Sequence, residues 1–570
     1  MIKKNWKKIE APDLVKSKNL QNELNVPKLI AQLLVQRGIE LFSEAREFFR
    51  PELKDLIDPF LMKGMKKAID KIIFSIENKE TIMIYGDYDV DGTTSVALLY
   101  SFLKKQGGIV IPYIPDRYKE GYGVSVTGIN AAKEKKVSLI IIIDCGIKAI
   151  KEIELANSYG IDTIICDHHI PGKVLPNAVS ILNPKQEDCS YPYKELCACG
   201  IGFKVIQAFE QKKGNSFDNI KAYLDLVAIA IAADIVPITG ENRVLTFLGL
   251  KRLNSDIRIG LKHLINNQYK KLNIYDLIYK IAPRINAAGR MKHGMYAVDL
   301  LVSTFDQEAI SKSRTIELFN SERKMIDERI TKEALEQIEL IGSVEAKTTV
   351  VYRPDWHKGV IGIVASRLME FHYRPTIVFT KEGEFIVGSA RSVKGFNIYE
   401  ALSSCSKYLI QYGGHKYAAG LKIEPEKFTE FKIAFESAVS KKILSHQLIP
   451  SLTYDLEITL DKLTSTTFRI INQMRPFGPY NREPVFCVNN CLDNGGTRKV
   501  GKENNHLKLE IIDKSGTSFS GIGFNMAEYL SEIKSKNDFS ILANLIKNDY
   551  NDRSELQLLI KSISFDKNPT

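Results

Sequence analysis

The chain has 570 residues, which is too long for a single hydrophobic core and predicts three or four domains. Its hydrophobic content of 44% and charged content of 26% are ordinary for a globular protein, and no apolar run is long enough to span a membrane. The net charge of +11 is compatible with a polyanionic partner such as nucleic acid, but the many lysines would equally well solvate the surface.

The eight cysteines include no Cys-x-x-Cys pair, so we expect neither a disulfide framework nor a cysteine zinc site. The basic N-terminus is not followed by an apolar segment and does not resemble a secretory signal. These features predict a reduced, cytoplasmic protein that does not act at a membrane.

Strands and helices alternate from Thr81 onward, after a predicted helical region at residues 1–65. This alternation predicts a parallel sheet covered on both faces, within a domain at residues 66–305. The predicted strands are 81–85, 109–114, 138–143 and 162–166, and the predicted helices between them are 94–105, 126–136 and 147–158.

The second half of the chain divides into three segments. Apolar residues at helical spacing predict one long helix within residues 306–345, either as a bridge between domains or as a surface helix of the first domain. Residues 346–448 alternate strand and helix again and predict a smaller α/β domain. Residues 449–570 are mostly strand, which favours a small barrel of the OB type, with a plain β-sandwich as the alternative.

Three carboxylates, Asp87, Asp89 and Asp91, directly follow the first predicted strand. An extended backbone would place them on one side, where like charges repel unless a cation neutralises them. The alternative is an acidic turn that only caps the next helix.

Further polar residues follow other buried elements. One strand ends in Asp144, the next in Asp167-His168-His169, and an apolar helix ends at Asp234. The carboxyl ends of parallel strands meet at one edge of a sheet, which is where such folds place their chemistry. Oxygen and imidazole ligands suit Mn²⁺, Mg²⁺ or Zn²⁺, so the pattern predicts a pocket for two divalent ions with one bridging carboxylate. Such a pair activates water for attack at phosphorus.

The motifs Asp-Tyr-Asp-Val-Asp-Gly, Asp-Cys-Gly, Asp-His-His and Ala-Asp-Ile-Val-Pro resemble the four motifs of the DHH phosphoesterase superfamily. Two stretches of the smaller α/β domain, 388–392 and 413–420, resemble its partner domain, known as DHHA1. Together with the barrel, Pro283-Arg284-Ile285-Asn286-Ala287-Ala288-Gly289-Arg290 is similar to the RecJ family of bacterial single-strand exonucleases.

The resemblance implies a role for each matching residue. The implied metal ligands are Asp89, Asp91, Asp144 as the bridge, His168 and Asp234, with Asp87 either a ligand or a support for one. His169 would contact the scissile phosphate, the alternative being a structural histidine. Arg284 and Arg290 flank a small-residue turn and would act at the cleavage point with Asp144 and His169, the alternative being surface salt bridges.

Phosphate contacts are implied outside the metal pocket. Arg117, Ser389 and Arg391 resemble the family's clamp for a DNA 5′-phosphate, and Gly413, Gly414 and His415 form a candidate phosphate seat. One stretch departs from the family's usual Phe-Gly-x-Gly-Asn-Pro-Glu-Pro: this chain has Phe477-Gly478-Pro479-Tyr480-Asn481-Arg482-Glu483-Pro484.

The resemblance implies a monomeric 5′→3′ exonuclease of DNA repair and recombination. It would use two Mn²⁺ or Mg²⁺ ions to degrade single-stranded DNA to 5′-mononucleotides, with a single-strand-binding protein or a helicase as candidate partners. One alternative is a phosphodiesterase for short RNA or cyclic dinucleotides, which has no need of the barrel. The other is a non-catalytic DNA-binding replication scaffold, which the complete ligand set disfavours.

Overall fold

The computed structural model describes residues 4–265, 271–341, 346–535, 538–550 and 553–566. Its internal contacts separate two units. The first consists of residues 14–321 with 470–483, and the second of residues 1–13, 322–469 and 484–570. In the described part of the chain, no helix is both long and apolar enough to cross a membrane.

The N-terminal region is not entirely helical, as the sequence had suggested. It opens with strand β1 (Asn5–Lys8), which pairs in parallel with Ser451–Tyr454 of the second unit and buries Trp6. Its helices are α1 (Leu14–Leu24), α2 (Lys28–Val35), α3 (Phe42–Phe49) and α4 (Met65–Glu77).

The predicted parallel sheet of the first unit is confirmed, and all four predicted strands are present. Its strands are β2 (Thr81–Gly86), β3 (Ile109–Tyr113), β4 (Leu139–Ile143), β5 (Asp162–Cys166) and a short β6 (Ser180–Leu182), in the order β3-β2-β4-β5-β6. Alternate residues of β4 enter different cores: Ile141 packs into one cluster and Ile140 into another. Helices therefore cover both faces of the sheet.

Three further helices of this unit lie between its strands, and a longer series follows β6. They are α5 (Val90–Lys105), α6 (Val126–Glu134), α7 (Ile150–Ser158), α8 (Ala198–Lys212), α9 (Leu224–Ala233), α10 (Gly240–Ser255), α11 (Ile259–Ile265), α12 (Ile274–Asp276), α13 (Ala282–Met291) and α14 (Met295–Leu301). Asn286 to Gly289 lie within α13, so the predicted small-residue turn is wrong. Alanine favours a helix, and small side chains permit close approach in a helix as well as in a turn.

The predicted long helix is confirmed as α15 (Asp306–Ile341), and residues 342–345 of that prediction lie outside the described residues. Ile316 in its first half packs into the core of the first unit, and Ile330 in its second half packs into a core of the second. The helix thus contributes to both units.

The smaller α/β domain contains a mixed five-stranded sheet. Its elements are β7 (Thr349–Tyr352), α16 (Ile361–His372), β8 (Thr376–Glu382), β9 (Phe385–Arg391), α17 (Ile398–Ser403), β10 (Gln411–Gly414), β11 (Ala418–Ile423) and α18 (Phe428–Lys442). The strand order is β10-β11-β9-β8-β7, and only β7 and β8 run in parallel.

The last segment forms a ring of strands, which favours the barrel over the sandwich. Its elements are β12 (Ser451–Tyr454), β13 (Leu456–Glu457), α19 (Ser465–Gln473), β14 (Phe486–Asp493), β15 (Arg498–Val500), β16 (His506–Ile512), β17 (Ser518–Gly523), α20 (Leu530–Ser535), β18 (Phe539–Tyr550) and β19 (Arg553–Ser564). Pairing runs β14-β18-β19-β17-β16, and β14 returns to β16 after a register shift between Val488 and Cys491. Such irregularities bend a strand so that a sheet can close.

A buried ion pair of the sheet domain also forms a hydrogen bond with the N-terminal region. The Lys204 ammonium lies 2.6 Å from Glu241 Oε1, and both side chains are completely buried. Glu241 also accepts hydrogen bonds from the Ile57 backbone NH at 3.1 Å and from the Tyr191 hydroxyl. Removing one partner of such a pair leaves an uncompensated buried charge.

We therefore expect Glu241→Ala to lower the free energy of unfolding by about 3–5 kcal/mol in a urea titration. The matched control is Asp188→Ala, which removes the exposed partner of Lys63 and should leave the free energy of unfolding nearly unchanged. Equal losses in the two variants would contradict this account of the N-terminal attachment.

Candidate metal centre and phosphate contacts

The first three carboxylates converge, but not along an extended segment as the sequence had suggested. Asp87 directly follows β2, Asp89 caps the N-terminus of α5 by accepting from the Gly92 NH, and Asp91 lies in the first turn of that helix. Both oxygens of Asp91 accept backbone NH groups at the start of α8, from Ala198 at 2.7 Å and Cys199 at 2.8 Å. These bonds fix the orientation of the Asp91 carboxylate.

The next strand ends place Asp144 and His168 beside Asp91. Asp144 follows β4 with a φ of 65°, a left-handed conformation that is uncommon outside glycine and often found at active sites. His168 follows β5, and its Nε2 lies 3.4 Å from Asp144 Oδ1 and 3.9 Å from Asp91 Oδ2. Adjacent parallel strands therefore deliver these groups to one edge of the sheet.

Asp234 reaches the same cluster from the end of a helix. It is the residue that ends α9, and its Oδ2 lies 3.7 Å from His168 Nδ1. The side chain keeps 29% of its surface exposed, compared with 5% or less for Asp91 and Asp144. Solvent therefore reaches Asp234 more easily than it reaches Asp91 or Asp144.

The buried carboxylates repel one another in the absence of a cation. Burial and repulsion from Asp89 raise the pKa of Asp91 to about 7. Burial and repulsion from Asp91 and Asp89 raise the pKa of Asp234 to about 8. The pKa values of Asp87 and Asp144 are raised well above the ordinary range by burial first and by neighbouring carboxylates second.

The donor set fits divalent metal ions. Asp87 Oδ1 and His168 Nδ1 are buried without a hydrogen-bond partner among the described residues, and a ligated cation would satisfy such atoms. Burial lowers the pKa of His168 to about 3, so its imidazole is neutral and able to ligate. Ligand atoms lie within 4.8 Å of one another in three sets: Asp87, Asp89 and Asp144; Asp91, His168 and Asp234; and Asp144, His168 and His169. Asp144 and His168 each belong to two of these sets.

His169 is held in a different way from His168. Its Nδ1 lies 2.7 Å from Asp167 Oδ1, and its Nε2 lies 3.2 Å from the Tyr122 hydroxyl. Burial opposes both charges, but the hydrogen bond between the two side chains raises the pKa of His169 and lowers that of Asp167 overall. Asp167 therefore orients an imidazole that readily carries a proton, which suits a phosphate contact.

Of the arginines implied at the cleavage point, Arg290 lies by the metal cluster. Burial raises the pKa of Tyr88 to about 12, although the positive charges of Arg117 and Arg290 nearby act to lower it. The Arg117 guanidinium lies 4.8 Å from the Tyr88 ring centroid. Gly289 lets α13 approach the Asp87–Asp89 loop, because a Cβ there would lie 2.6 Å from the Tyr88 carbonyl oxygen. Arg284 instead forms an ion pair with Glu317 at 2.6 Å. The geometry favours Arg290 over Arg284 as a phosphate contact.

Ser389 and Arg391 lie on one face of β9, as their spacing predicts. Arg391 Nη1 donates to Ser389 Oγ at 3.1 Å, and Arg391 Nε donates to Ser366 Oγ at 3.1 Å. Gly362, in the first turn of α16, leaves room for them: a Cβ there would lie 3.0 Å from Ser389 Oγ and 3.1 Å from Arg391 Nη2. A helix N-terminus, a hydroxyl and a guanidinium thus meet in one place, which suits an anion.

The glycines of β10 continue this surface across the sheet. Ser389 pairs with Gly420 of β11, and Gly420 pairs with Gly413 of β10. A Cβ on Gly413 or Gly420 would meet nothing within 4 Å, so the backbone of this row is open. Gly414 has a φ of 144°, and His415 is exposed beside it.

Sequence reasoning missed three contributors to these sites. Asp167 was not assigned a role, although its place directly before two histidines is a signal for an orienting carboxylate. The helix-capping contact of Asp91 with α8 and the place of Gly362 beside Ser389 depend on long-range packing. The one local signal for the place of Gly362 was the stretch Gly359-Val360-Ile361-Gly362 at the start of α16.

Comparison with known proteins agrees with this arrangement. Three family models match the chain: the N-terminal domain of the DHH family at residues 81–231, the DHHA1 domain at 345–441 and the RecJ OB domain at 454–562. The single-stranded-DNA-specific exonuclease RecJ of Bacillus subtilis (strain 168) is 38% identical over 98% of this chain and 70% of its own length. RecJ of Escherichia coli (strain K12) is 31% identical over 94% and 96% of the two chains.

Solved structures give the same result. The crystal structure of RecJ from Thermus thermophilus in complex with Mn²⁺ is similar with a TM-score of 0.86 and 25% identity, covering 99% of this chain and 80% of that one. Fold and site together define a DHH phosphoesterase joined to a DHHA1 domain and an OB domain. The chain belongs to the RecJ family of single-stranded-DNA-specific exonucleases.

The raised carboxyl pKa values predict how pH affects the metal-free protein. Because the folded pKa values of Asp91 and Asp234 exceed the ordinary value of 3.8, their stabilising protonated forms are present at low pH and are lost as pH rises through 7 and 8. We expect the thermal unfolding midpoint of the metal-free chain to fall between about pH 4 and pH 8, the interval from the ordinary to the raised pKa values, and to fall less in Asp234→Asn.

Adding Mn²⁺ at pH 9 should restore the midpoint of the natural sequence and should have less effect on Asp234→Asn. Differential scanning calorimetry in chelated and Mn²⁺-containing buffers measures both quantities. An identical pH dependence in the two proteins would show that Asp234 does not share the carboxylate repulsion.

Proposed function

We propose that this chain is a metal-dependent exonuclease that degrades single-stranded DNA from the 5′ end and releases 5′-mononucleotides. The observation that carries the proposal is the convergence of Asp87, Asp89, Asp91, Asp144, His168 and Asp234 at one edge of the sheet. Membership in a family named for single-stranded-DNA-specific exonucleases supports the substrate class.

The carboxylates and His168 would hold two Mn²⁺ or Mg²⁺ ions, with Asp144 shared between them. When bound, two such ions neutralise the developing charge and lower the pKa of water at the phosphodiester. Protonated His169 would donate a hydrogen bond from Nε2 to a phosphoryl oxygen, while its Nδ1 donates to Asp167. Arg290 would bind a neighbouring phosphate oxygen beside Tyr88, and Arg117, which the family resemblance assigns to the 5′-phosphate, lies over the same ring.

End-directed action would come from a separate anion site in the second unit. Ser389, Arg391 and the open start of α16 offer a hydroxyl, a guanidinium and backbone NH groups to a terminal phosphate. The exposed backbone at Gly413 and Gly414, with His415, extends this site. A 5′-phosphate has more negative charge than an internal phosphodiester and would bind preferentially.

The barrel would hold the rest of the strand. Arg498 of β15 lies directly opposite Lys508 of β16, so two cations lie side by side on this strand pair, and the Lys508 ammonium is also 3.4 Å from Glu510 Oε1. Exposed Phe524 contacts the His506 ring with centroids 5.1 Å apart, so an aromatic surface for a base lies near these charges. Binding through such residues weakens as salt rises.

The barrel favours this function over a phosphodiesterase for short RNA or cyclic dinucleotides, since small substrates make no use of it. A non-catalytic scaffold is disfavoured because each candidate ligand is present. The proposal also includes the division of the chain into the five segments given above, a monomeric state, a cytoplasmic location, and a single-strand-binding protein or helicase as partner.

We expect Asp144→Ala and His168→Ala to reduce the rate of mononucleotide release by at least about a thousandfold, because each removes a ligand that holds charge at the transition state. The assay uses full-length chain, Mn²⁺ and a long single strand carrying an internal label near each end. The matched control is Asp162→Asn, at the opposite end of β5, which should retain activity. Retained cleavage in both ligand variants, or cleavage of dinucleotides alone, would contradict the proposed function.

The terminal-phosphate site predicts a preference that one substitution removes. We expect Arg391→Ala to lower kcat/KM about 10- to 100-fold on 5′-phosphorylated strands and to have little effect on 5′-hydroxyl strands. Lys381→Ala is the matched control, since it removes an exposed cation from neighbouring β8. If Arg391→Ala affects both substrates equally, the residue does not recognise the 5′-phosphate.

A further inference from the structure

The loop that follows Asp234 has an unfavourable backbone conformation. Ile235 has a φ of 57°, and a β-branched residue in the left-handed region is a genuine outlier. Its side chain is 64% exposed, so its own packing does little to hold it there. Such conformations cost on the order of 1–3 kcal/mol and persist only where the surroundings impose them.

The far end of this loop is held by two parts of the first unit. The Pro237 carbonyl oxygen accepts hydrogen bonds from Asn242 Nδ2 at 3.1 Å and from the Tyr193 hydroxyl at 3.3 Å. The backbone NH of Ile238 donates to the carbonyl oxygen of Pro479 at 2.9 Å. Ile238 is 1% exposed, so this end of the loop is fixed by both packing and hydrogen bonds.

Pro479 belongs to a tight turn at residues 478–481, within the stretch that departs from the family pattern. Gly478 and Asn481 exchange backbone hydrogen bonds of 2.9 and 3.1 Å, and Tyr480 has a φ of 62°. Gly478 packs so closely on Ile238 that an added Cβ would overlap the Ile238 Cγ1. The turn therefore determines where Ile238 can lie.

The turn is itself fixed to the first unit. Asn481 Nδ2 donates to the carbonyl oxygens of Met474 at 3.0 Å and Pro476 at 2.8 Å. The buried guanidinium of Arg243, in α10, donates to the same two carbonyl oxygens, to that of Arg475, and to that of Phe48 in α3. Backbone carbonyl groups held in this way leave the turn little freedom to move.

We propose that the 478–481 turn is a positioning element for Asp234. Residues 470–483, the stretch that leads into the barrel, thereby fix the position of this metal ligand. The contact of Gly478 and Pro479 with Ile238 fixes the loop end, and the fixed loop imposes the backbone at Ile235 that orients the Asp234 carboxylate. This inference rests on the proposed function, because the role of Asp234 as a metal ligand is part of that proposal.

The test measures Mn²⁺ binding to the full-length chain by isothermal titration calorimetry, with unfolding midpoints recorded in parallel. Gly478→Ala should displace Ile238 and weaken the binding of one Mn²⁺ equivalent at least about tenfold, which is roughly 1.4 kcal/mol. It should also lower kcat without changing the KM for DNA. The double variant Gly478→Ala/Ile238→Ala should recover the Mn²⁺ affinity of Ile238→Ala alone, because the overlap is gone.

The matched control is Tyr480→Gly, which changes the same turn at an exposed side chain and relieves its left-handed residue. It should bind Mn²⁺ as the natural sequence does. If Gly478→Ala does not fold, Asn481→Ala tests the same turn through its side-chain bonds and should weaken the same Mn²⁺ equivalent.

Two results separate this inference from the proposed function. Unchanged Mn²⁺ affinity in Gly478→Ala or its folded substitute, together with weakened affinity in Asp234→Asn, would overturn the positioning role alone. Unchanged affinity in Asp234→Asn would overturn the ligand assignment, and the positioning role with it. Failure of Ile238→Ala to rescue Gly478→Ala would also overturn the positioning role.

Discussion

Repulsion between buried carboxylates is the constraint on which the rest of the site depends. Parallel strands β2, β4 and β5 all end at one edge of the sheet, so Asp87, Asp144 and Asp167 must lie near one another. Asp89, Asp91 and Asp234 add to this charge from the ends of helices. Water is largely excluded there, so the carboxylates must be protonated or neutralised by cations.

The surrounding elements make this arrangement tolerable and give each carboxylate a distinct role. The start of α8 donates backbone hydrogen bonds to Asp91, which fixes a candidate ligand without removing its charge. Asp167 is paired with His169 and therefore serves the imidazole. Asp234 depends on a backbone conformation that the 478–481 turn helps to impose. In the proposed function, the anion site at Ser389 and the barrel account for choice of substrate, and the metal centre accounts for reactivity.

Much of this architecture follows from local patterns. Ile-rich runs ended by polar residues predicted the strands of the first sheet and most of the ligand set, because burial and chain direction fix both. The long helix and the strand-rich C-terminal segment were equally readable from periodicity. Family motifs supplied the individual roles that residue type alone left open.

Other features depend on distant parts of the chain, which a local pattern does not encode. The pairing of β1 with β12 joins residues more than 400 positions apart, and four residues around Trp6 give little strand signal. Asn286 to Gly289 suggested a turn, but the alanines continue a helix. The pairing of Arg284 with Glu317 and the contact of Gly478 with Ile238 both require the folded structure.

Anomalous diffraction from crystals of the full-length chain soaked in Mn²⁺ tests the central claim most directly. The account predicts two manganese peaks, one within ligand distance of Asp91, His168 and Asp234, the other of Asp87 and Asp89, with Asp144 contacting both. A single peak, or two peaks that do not share Asp144, would contradict it.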